Sequence, residues 1–118
     1  MSESLLLQAR SPGVWELILN RPECHNAFDD VLITAMMKRL EQAARQPDLR
    51  VLVLRGNGKH FSAGADLNWM QRAASYDPAQ NLVDARQLAM LLQQLDKFPH
   101  PTLALIQGAA YGGALGLI

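Results

Sequence analysis

Two short apolar runs near the start, "LLLQAR" and "VWELILN", flank "SPG", and the turn-forming Pro12 and Gly13 between them predict a β-hairpin. "RPECHNAFDD" reads as a loop that ends on two helix-capping candidates, Asp29 and Asp30. Val31, Leu32, Ala35, Met36, Leu40 and Ala43 then recur at helical spacing, with Lys38, Arg39, Glu41 and Gln42 largely opposite, until Pro47 stops the helix. "RVLVLRG" is continuously apolar, as in a parallel strand covered on both faces. "ADLNWMQRAA" predicts a short helix with Asp66 in its first turn. "DPAQNLVDARQLAMLLQQLDKF" predicts a long one, with Asp77 as N-cap and Pro78 in first position. "PHPTLALIQG" supplies a proline-bounded break and another buried strand, and "AAYGGALGLI" follows as a helix. The order ββαβααβα, with right-handed crossovers between parallel strands, indicates a layered α/β fold.

Composition narrows the function classes. The 118 residues suffice for one domain, and 49% of them are apolar, as in an ordinary globular chain. Eleven Lys and Arg balance eleven Asp and Glu, so no overall field favours nucleic acid or an anionic membrane. The single cysteine, Cys24, excludes an intrachain disulfide framework and a cysteine-based zinc cluster. His25 and His100 lie in proline-adjacent loops without a partner at metal-ligand spacing, so no metal is expected. No run approaches the roughly 20 apolar residues of a membrane span, and "MSESLLLQARSPG" does not read as a signal peptide. A cytoplasmic protein is expected. The final "GGALGLI" carries no cap and no polar finish, which suggests a longer domain continuing past Ile118.

The chemistry-bearing stretch is "GKHFSAGADLNWM", where a buried strand gives way to a helix. A serine-hydrolase elbow needs Gly-x-Ser-x-Gly, but "HFSAG" has His60 in place of the first glycine, so Ser62 reads as a loop serine bonding local backbone. A phosphate loop needs Gly, four residues, then Gly-Lys-Ser/Thr, and "GNGKHFSAG" lacks that spacing. Lys59 reads as a solvated loop lysine. A third reading uses only backbone. Gly64 can take angles closed to other residues, Ala65 then offers an N–H with little side chain to block a ligand, and Asp66 opens a helix whose N-terminus favours negative charge. "LALIQGAAYGGALG" repeats the device, with Gly113 as the second donor. Either glycine turn alone is an ordinary packing feature. Two together, at the carboxyl ends of neighbouring strands, form an oxyanion hole able to hold the enolate of a thioester.

"LNRPECHNAF", "HFSAGADL" and "QGAAYGGALG", in this order and spacing, resemble the enoyl-CoA hydratase/isomerase (crotonase) family over nearly the whole chain. "SAGADLNWMQ" and "AAYGGALGLI" are most similar to its methylglutaconyl-CoA and carboxygeranoyl-CoA hydratase branch, which serves leucine and acyclic-terpene breakdown. The resemblance implies the N-terminal portion, residues 1–118, of one crotonase-like domain with a spiral ββα core. It implies an acyl-CoA substrate, no separate cofactor, and assembly as a homotrimer or homohexamer. The thioester oxygen would lie between the N–H groups of Ala65 and Gly113. Ala63, Asp66 and Leu67 map to ligand-lining positions, with Asn68 beside them; Cys24 falls in the loop bordering CoA, and Gly112 lines the second turn.

Two departures bear on mechanism. Hydratases of this family commonly place water with two glutamates; the first falls at Gly116 here, and the second on a segment beyond Ile118. The basic residue that often meets the CoA phosphates in the "RPE" loop is replaced by Glu23, and Arg21 reads as a brace for the fold. The expected reaction is enoyl-CoA hydration. An isomerase of the same fold and a non-catalytic acyl-CoA binding module are its rivals. Trp15, Trp69, Met36, Met37, Met70 and Met90 read as core or subunit-contact residues.

Overall fold

The computed structural model describes residues 4–75, 77–112 and 117. The "SPG" turn joins β1 (Leu5–Ser11) to β2 (Val14–Leu19), which pair antiparallel with Leu7 opposite Leu17. β3 (Val51–Gly56) lies parallel to β2, and β4 (Thr102–Leu105) parallel to β3, giving the sheet order β1-β2-β3-β4. α1 (Asp30–Ala44) makes the first crossover; α2 (Leu67–Ala74) and α3 (Pro78–Asp96) make the second. This is the mixed α/β fold that the order of apolar runs predicts.

Each helix starts on an aspartate that satisfies one of its free N–H groups. Asp29 accepts from Leu32 N–H at 2.8 Å, Asp66 from Trp69 N–H at 3.1 Å, and Asp77 from Gln80 N–H at 2.8 Å. Asp66 is therefore the cap of α2 rather than a residue of its first turn. Strand alternation sends Trp15, Leu17, Leu19, Leu52 and Leu54 to one face. There they join a core with Leu32, Ile33, Met36, Leu40 and Ala43 of α1 and Leu91 of α3.

Two expectations fail. Val31 is 70% exposed, and Ile33 takes its place in the core. The two lie about 200° apart around the helix, so only one can face the sheet. β4 is not buried: Leu103 and Leu105 are 52% and 39% exposed. It is the last strand of the sheet, paired on one side only. Of the helix expected over 109–118, residues 109–112 are not helical, since Ala110 bridges Ser62 instead; Leu117 is helical and buried against the core, and the other residues lie outside the described ones. Among the described residues no helix is long and apolar enough to cross a membrane, and no group of three possible metal ligands occurs.

The opposite face of the sheet holds a buried acid. Glu16 is 5% exposed in its side chain and accepts from Arg55 Nε at 2.6 Å, Gln8 Nε2 at 3.3 Å and Arg10 Nη1 at 3.5 Å. Burial alone would push its pKa up. The hydrogen bonds from Arg55 and Gln8, with the charges of Arg55 and Arg10, outweigh burial and hold the carboxyl below its ordinary 4.5. A lowered native pKa stabilises the fold above the ordinary value, and that contribution disappears as pH falls through the native one. Glu16→Gln is expected to lose about 1–3 kcal/mol at neutral pH. The gap from the parent chain should close well below pH 4.5, where the parent has also lost the ion pair. Denaturant melts of both chains across pH test this; a gap that does not narrow in acid would refute it.

Candidate functional site

The segment from His60 to Asp66 leaves β3 and enters α2, clamped between two other stretches of backbone. On one side lies the loop 25–28. Its organiser is Asn26, which is fully buried: its Oδ1 accepts from Arg21 N–H at 2.7 Å, and its Nδ2 donates to the carbonyls of Asn57, His60 and Phe61 at 2.8–3.1 Å. Ala63 N–H donates to His25 O at 2.9 Å, Phe28 N–H to Gly64 O at 2.8 Å, and Asp66 N–H to Phe28 O at 2.6 Å. On the other side, Ser62 N–H donates to Ala109 O at 3.2 Å and Tyr111 N–H to Ser62 O at 3.1 Å.

This clamp fixes one peptide group in particular. Gly64 has φ of 86°, and a Cβ there would lie 2.8 Å from the Tyr111 carbonyl oxygen, so only glycine fits. Its own carbonyl points at Phe28 N–H. Among the described residues no cis peptide occurs, so the Ala65 N–H of the same peptide points the opposite way, away from Phe28. Among the described residues nothing accepts from it. An unsatisfied donor beside a cleft is a group held ready for an external acceptor.

That cleft has a volume of about 440 Å³. Six residues expected from sequence line it together: Cys24, Ala63, Ala65, Asp66, Leu67 and Asn68. His25, Ala27 and Met70 join them and were missed. Met70 is 47% exposed beside the cleft, so it is not the core residue that was one of the two expectations for it. Its position three residues after Leu67, on the same side of α2, was the available signal. Gly112 is exposed with φ of 53° and does not line this cleft. Gly113 and Gly116 lie outside the described residues.

Arg21 braces the entrance. Its Nη1 donates to Ala27 O at 3.0 Å and meets Asp29 at 3.4 Å, while Nη2 reaches Cys24 Sγ at 3.5 Å and Asp66 Oδ2 at 3.6 Å. One guanidinium thus ties together the caps of α1 and α2. Asp66 spends one oxygen on its helix and faces the other to Arg21, which leaves it no role as a free base. Ser62 is fully buried; its Oγ donates to Asn26 O at 2.9 Å and accepts from Gly64 N–H at 3.1 Å, the local backbone role expected of it.

Residues 9–118 match the family model described as enoyl-CoA hydratase/isomerase. The chain is 38% identical over 117 residues to the enoyl-CoA isomerase/hydratase fer4 of Mycosarcoma maydis, covering 92% of this chain and 42% of that protein. It is also 38% identical to the 2,3-dehydroadipyl-CoA hydratase of Escherichia coli, covering 99% of this chain and 43% of that one. The crystal structure of an enoyl-CoA hydratase from Shewanella pealeana superposes with a TM-score of 0.94 at 51% identity, over 98% of this chain and 43% of that chain. The chain therefore spans less than half the length of the relatives it matches.

Ser62→Ala removes an oxygen that serves two buried backbone groups, so a loss of about 1–3 kcal/mol in denaturant melts is expected. A fluorophosphonate probe should leave no adduct on the parent chain by intact mass; an adduct on Ser62 would reinstate the hydrolase reading.

Proposed function

The chain belongs to the enoyl-CoA hydratase/isomerase family, and from that premise we propose that its cleft holds an acyl-CoA thioester and serves enoyl-CoA hydration through a stabilised enolate. The observation that carries this reading is the unpaired Ala65 N–H, fixed by the Gly64 carbonyl's bond to Phe28 and set beside a mostly apolar cleft. A thioester oxygen accepting from Ala65 becomes a stronger acceptor as the enolate forms, so the same donor stabilises the transition state more than the substrate. Gly113 is the proposed second donor. Cys24, Ala63, Asp66, Leu67 and Asn68 are proposed to line the bound CoA thioester, with Gly112 and Gly116 around the second turn.

In hydration, water adds its oxygen to the β-carbon, the electron pair of the double bond moves onto the thioester as an enolate, and the α-carbon then takes a proton. Removing the water proton and returning one to the α-carbon needs a base. No carboxylate occupies the sequence position of the first family glutamate, which is Gly116. Asp66 is engaged by its helix and by Arg21. The acid–base group is proposed to be a glutamate on a segment beyond Ile118, working alone. The acyl group we assign is methylglutaconyl-like, on the strength of "SAGADLNWMQ" and "AAYGGALGLI".

Gly116 also favours a second reading, isomerisation, in which one base moves a proton between two carbons of the acyl chain without adding water. Assembly as a trimer or a pair of trimers follows from the same resemblance, and exposed Leu82, Val83 and Met90 on α3 are apolar surface that such contacts would cover.

The chain, and the chain extended by its natural continuation if one exists, should be offered 2-enoyl-CoA and 3-enoyl-CoA thioesters. Product 3-hydroxyacyl-CoA supports hydration, and transfer of the double bond supports isomerisation. Tight thioester binding without turnover by the extended chain would leave a binding module. Ala65→Pro deletes the proposed donor and should lower turnover about 10²–10³-fold. Ala65→Ser keeps the N–H and should retain most activity. Equal activity in both variants would remove Ala65 from the mechanism.

A further inference from the structure

Coenzyme A carries its acyl group on an uncharged arm, pantetheine, and ends in a nucleotide that bears phosphate groups. The cleft suits the arm better than the phosphates. Among the described residues no lysine or arginine lines it, and its one charged lining residue is a carboxylate, Asp66. Cations on the neighbouring elements are already engaged. Arg21 spends its guanidinium on Asp29, Asp66, the Ala27 carbonyl and Cys24 Sγ. Arg72, on the helix that walls the cleft, meets Asp30 at 3.5 Å. Lys59 is exposed on the loop before Phe61 and lies outside the lining.

Beyond the carboxylates that Arg21 meets, a further charge stands at the rim. Glu23 is exposed in the short helical turn Pro22–Cys24, and its Oε1 accepts from Cys24 Sγ at 3.9 Å. Cys24 is itself a wall residue, so the Glu23 carboxylate lies one contact from the cleft. Among the described residues no cation pairs with it.

We infer that Glu23 is a specificity-determining residue: it sets this cleft to bind a thioester through the acyl group and the pantetheine arm, with no gain from the nucleotide's phosphates. The inference rests on the acyl-CoA reading of the cleft. An unpaired carboxylate at the rim repels any phosphate brought within a Debye length, about 8 Å at physiological salt. It leaves the arm untouched, since amides and a hydroxyl carry no net charge for it to act on. The wall offers that arm apolar contact from Ala27, Leu67 and Met70, together with the unpaired Ala65 N–H. Glu23 thus discriminates between carriers of the same acyl group without touching the reacting atoms.

Charge substitution at position 23 separates this role from that of a solvated surface charge. The Glu23 side chain holds no backbone group and no cation, so Glu23→Gln and Glu23→Lys are expected to fold as the parent does. The readout is calorimetric binding of butyryl-CoA and of S-butyryl-pantetheine, at low and at physiological ionic strength. The second ligand bears the same thioester and arm without phosphate. The parent should bind the two within about fivefold of each other. At low salt Glu23→Gln should tighten butyryl-CoA about 2- to 3-fold and Glu23→Lys about 5- to 10-fold, with both gains shrinking at physiological salt. S-butyryl-pantetheine should bind all three chains alike. A parent preference for butyryl-CoA beyond about fivefold, or a Glu23→Lys chain that tightens both ligands or neither, would overturn the assignment. A parent chain that binds neither ligand would instead refute the acyl-CoA reading, and the role of Glu23 with it.

Discussion

The orientation of the peptide between Gly64 and Ala65 governs the site, and it is imposed from outside the segment. Phe28 N–H holds the Gly64 carbonyl, and a trans peptide then turns the Ala65 N–H the other way. Phe28 can do this because Asn26, two residues earlier, is locked by four hydrogen bonds through its side chain. Asn26 also accepts a positive φ of 54°, which asparagine tolerates better than most residues. The "NRPECHNAF" loop is thus less a binding loop than a jig for the strand-to-helix turn beside it. Substituting its residues changes the geometry of a donor forty residues later in the chain.

Electrostatics adds a second constraint. Asp29 and Asp66 bring two like charges close together at the starts of α1 and α2, one of them on the cleft wall. Arg21 faces both, at 3.4 and 3.6 Å, with its own side chain only 20% exposed. The helices keep their caps, and the cleft is spared a local excess of negative charge. Arginine suits this role because one planar group reaches two carboxylates, a carbonyl and a thiol at once.

Much of this was legible in the sequence. The Pro12–Gly13 hairpin, the caps Asp29 and Asp77 and the parallel β3 are signalled by local rules of turn and helix chemistry, whereas five of the six expected residues that line the cleft came from the family resemblance and only Ala65 from the glycine turn itself. What escaped depends on partners distant in the chain. Val31 and Ile33 are equally apolar, and only the docking of α1 on the sheet decides which is buried. "TLAL" has the composition of a covered strand, but coverage is a property of its neighbours, and β4 has a strand on one side only. Asn26 and His60 look like ordinary loop residues until the backbone groups they bind, over thirty positions away, are brought against them.

Backbone groups and side chains divide the work of such a site differently. In the proposed reading charge stabilisation would come from peptide groups, which need small residues and fixed turns, and any sequence that keeps the Gly64–Phe28 bond keeps the Ala65 N–H in place. Acid–base work needs a carboxyl group at one place, and a single substitution moves it. Gly116 shows the consequence: the backbone device around residues 62–66 survives intact while the side chain that commonly partners it in hydratases is absent at its usual position. In the proposed reading, hydration and isomerisation would both pass through an enolate and ask the same thing of Ala65. They would differ in where the base stands and whether water reaches the β-carbon, so side chains outside the strand-to-helix turn would decide between them.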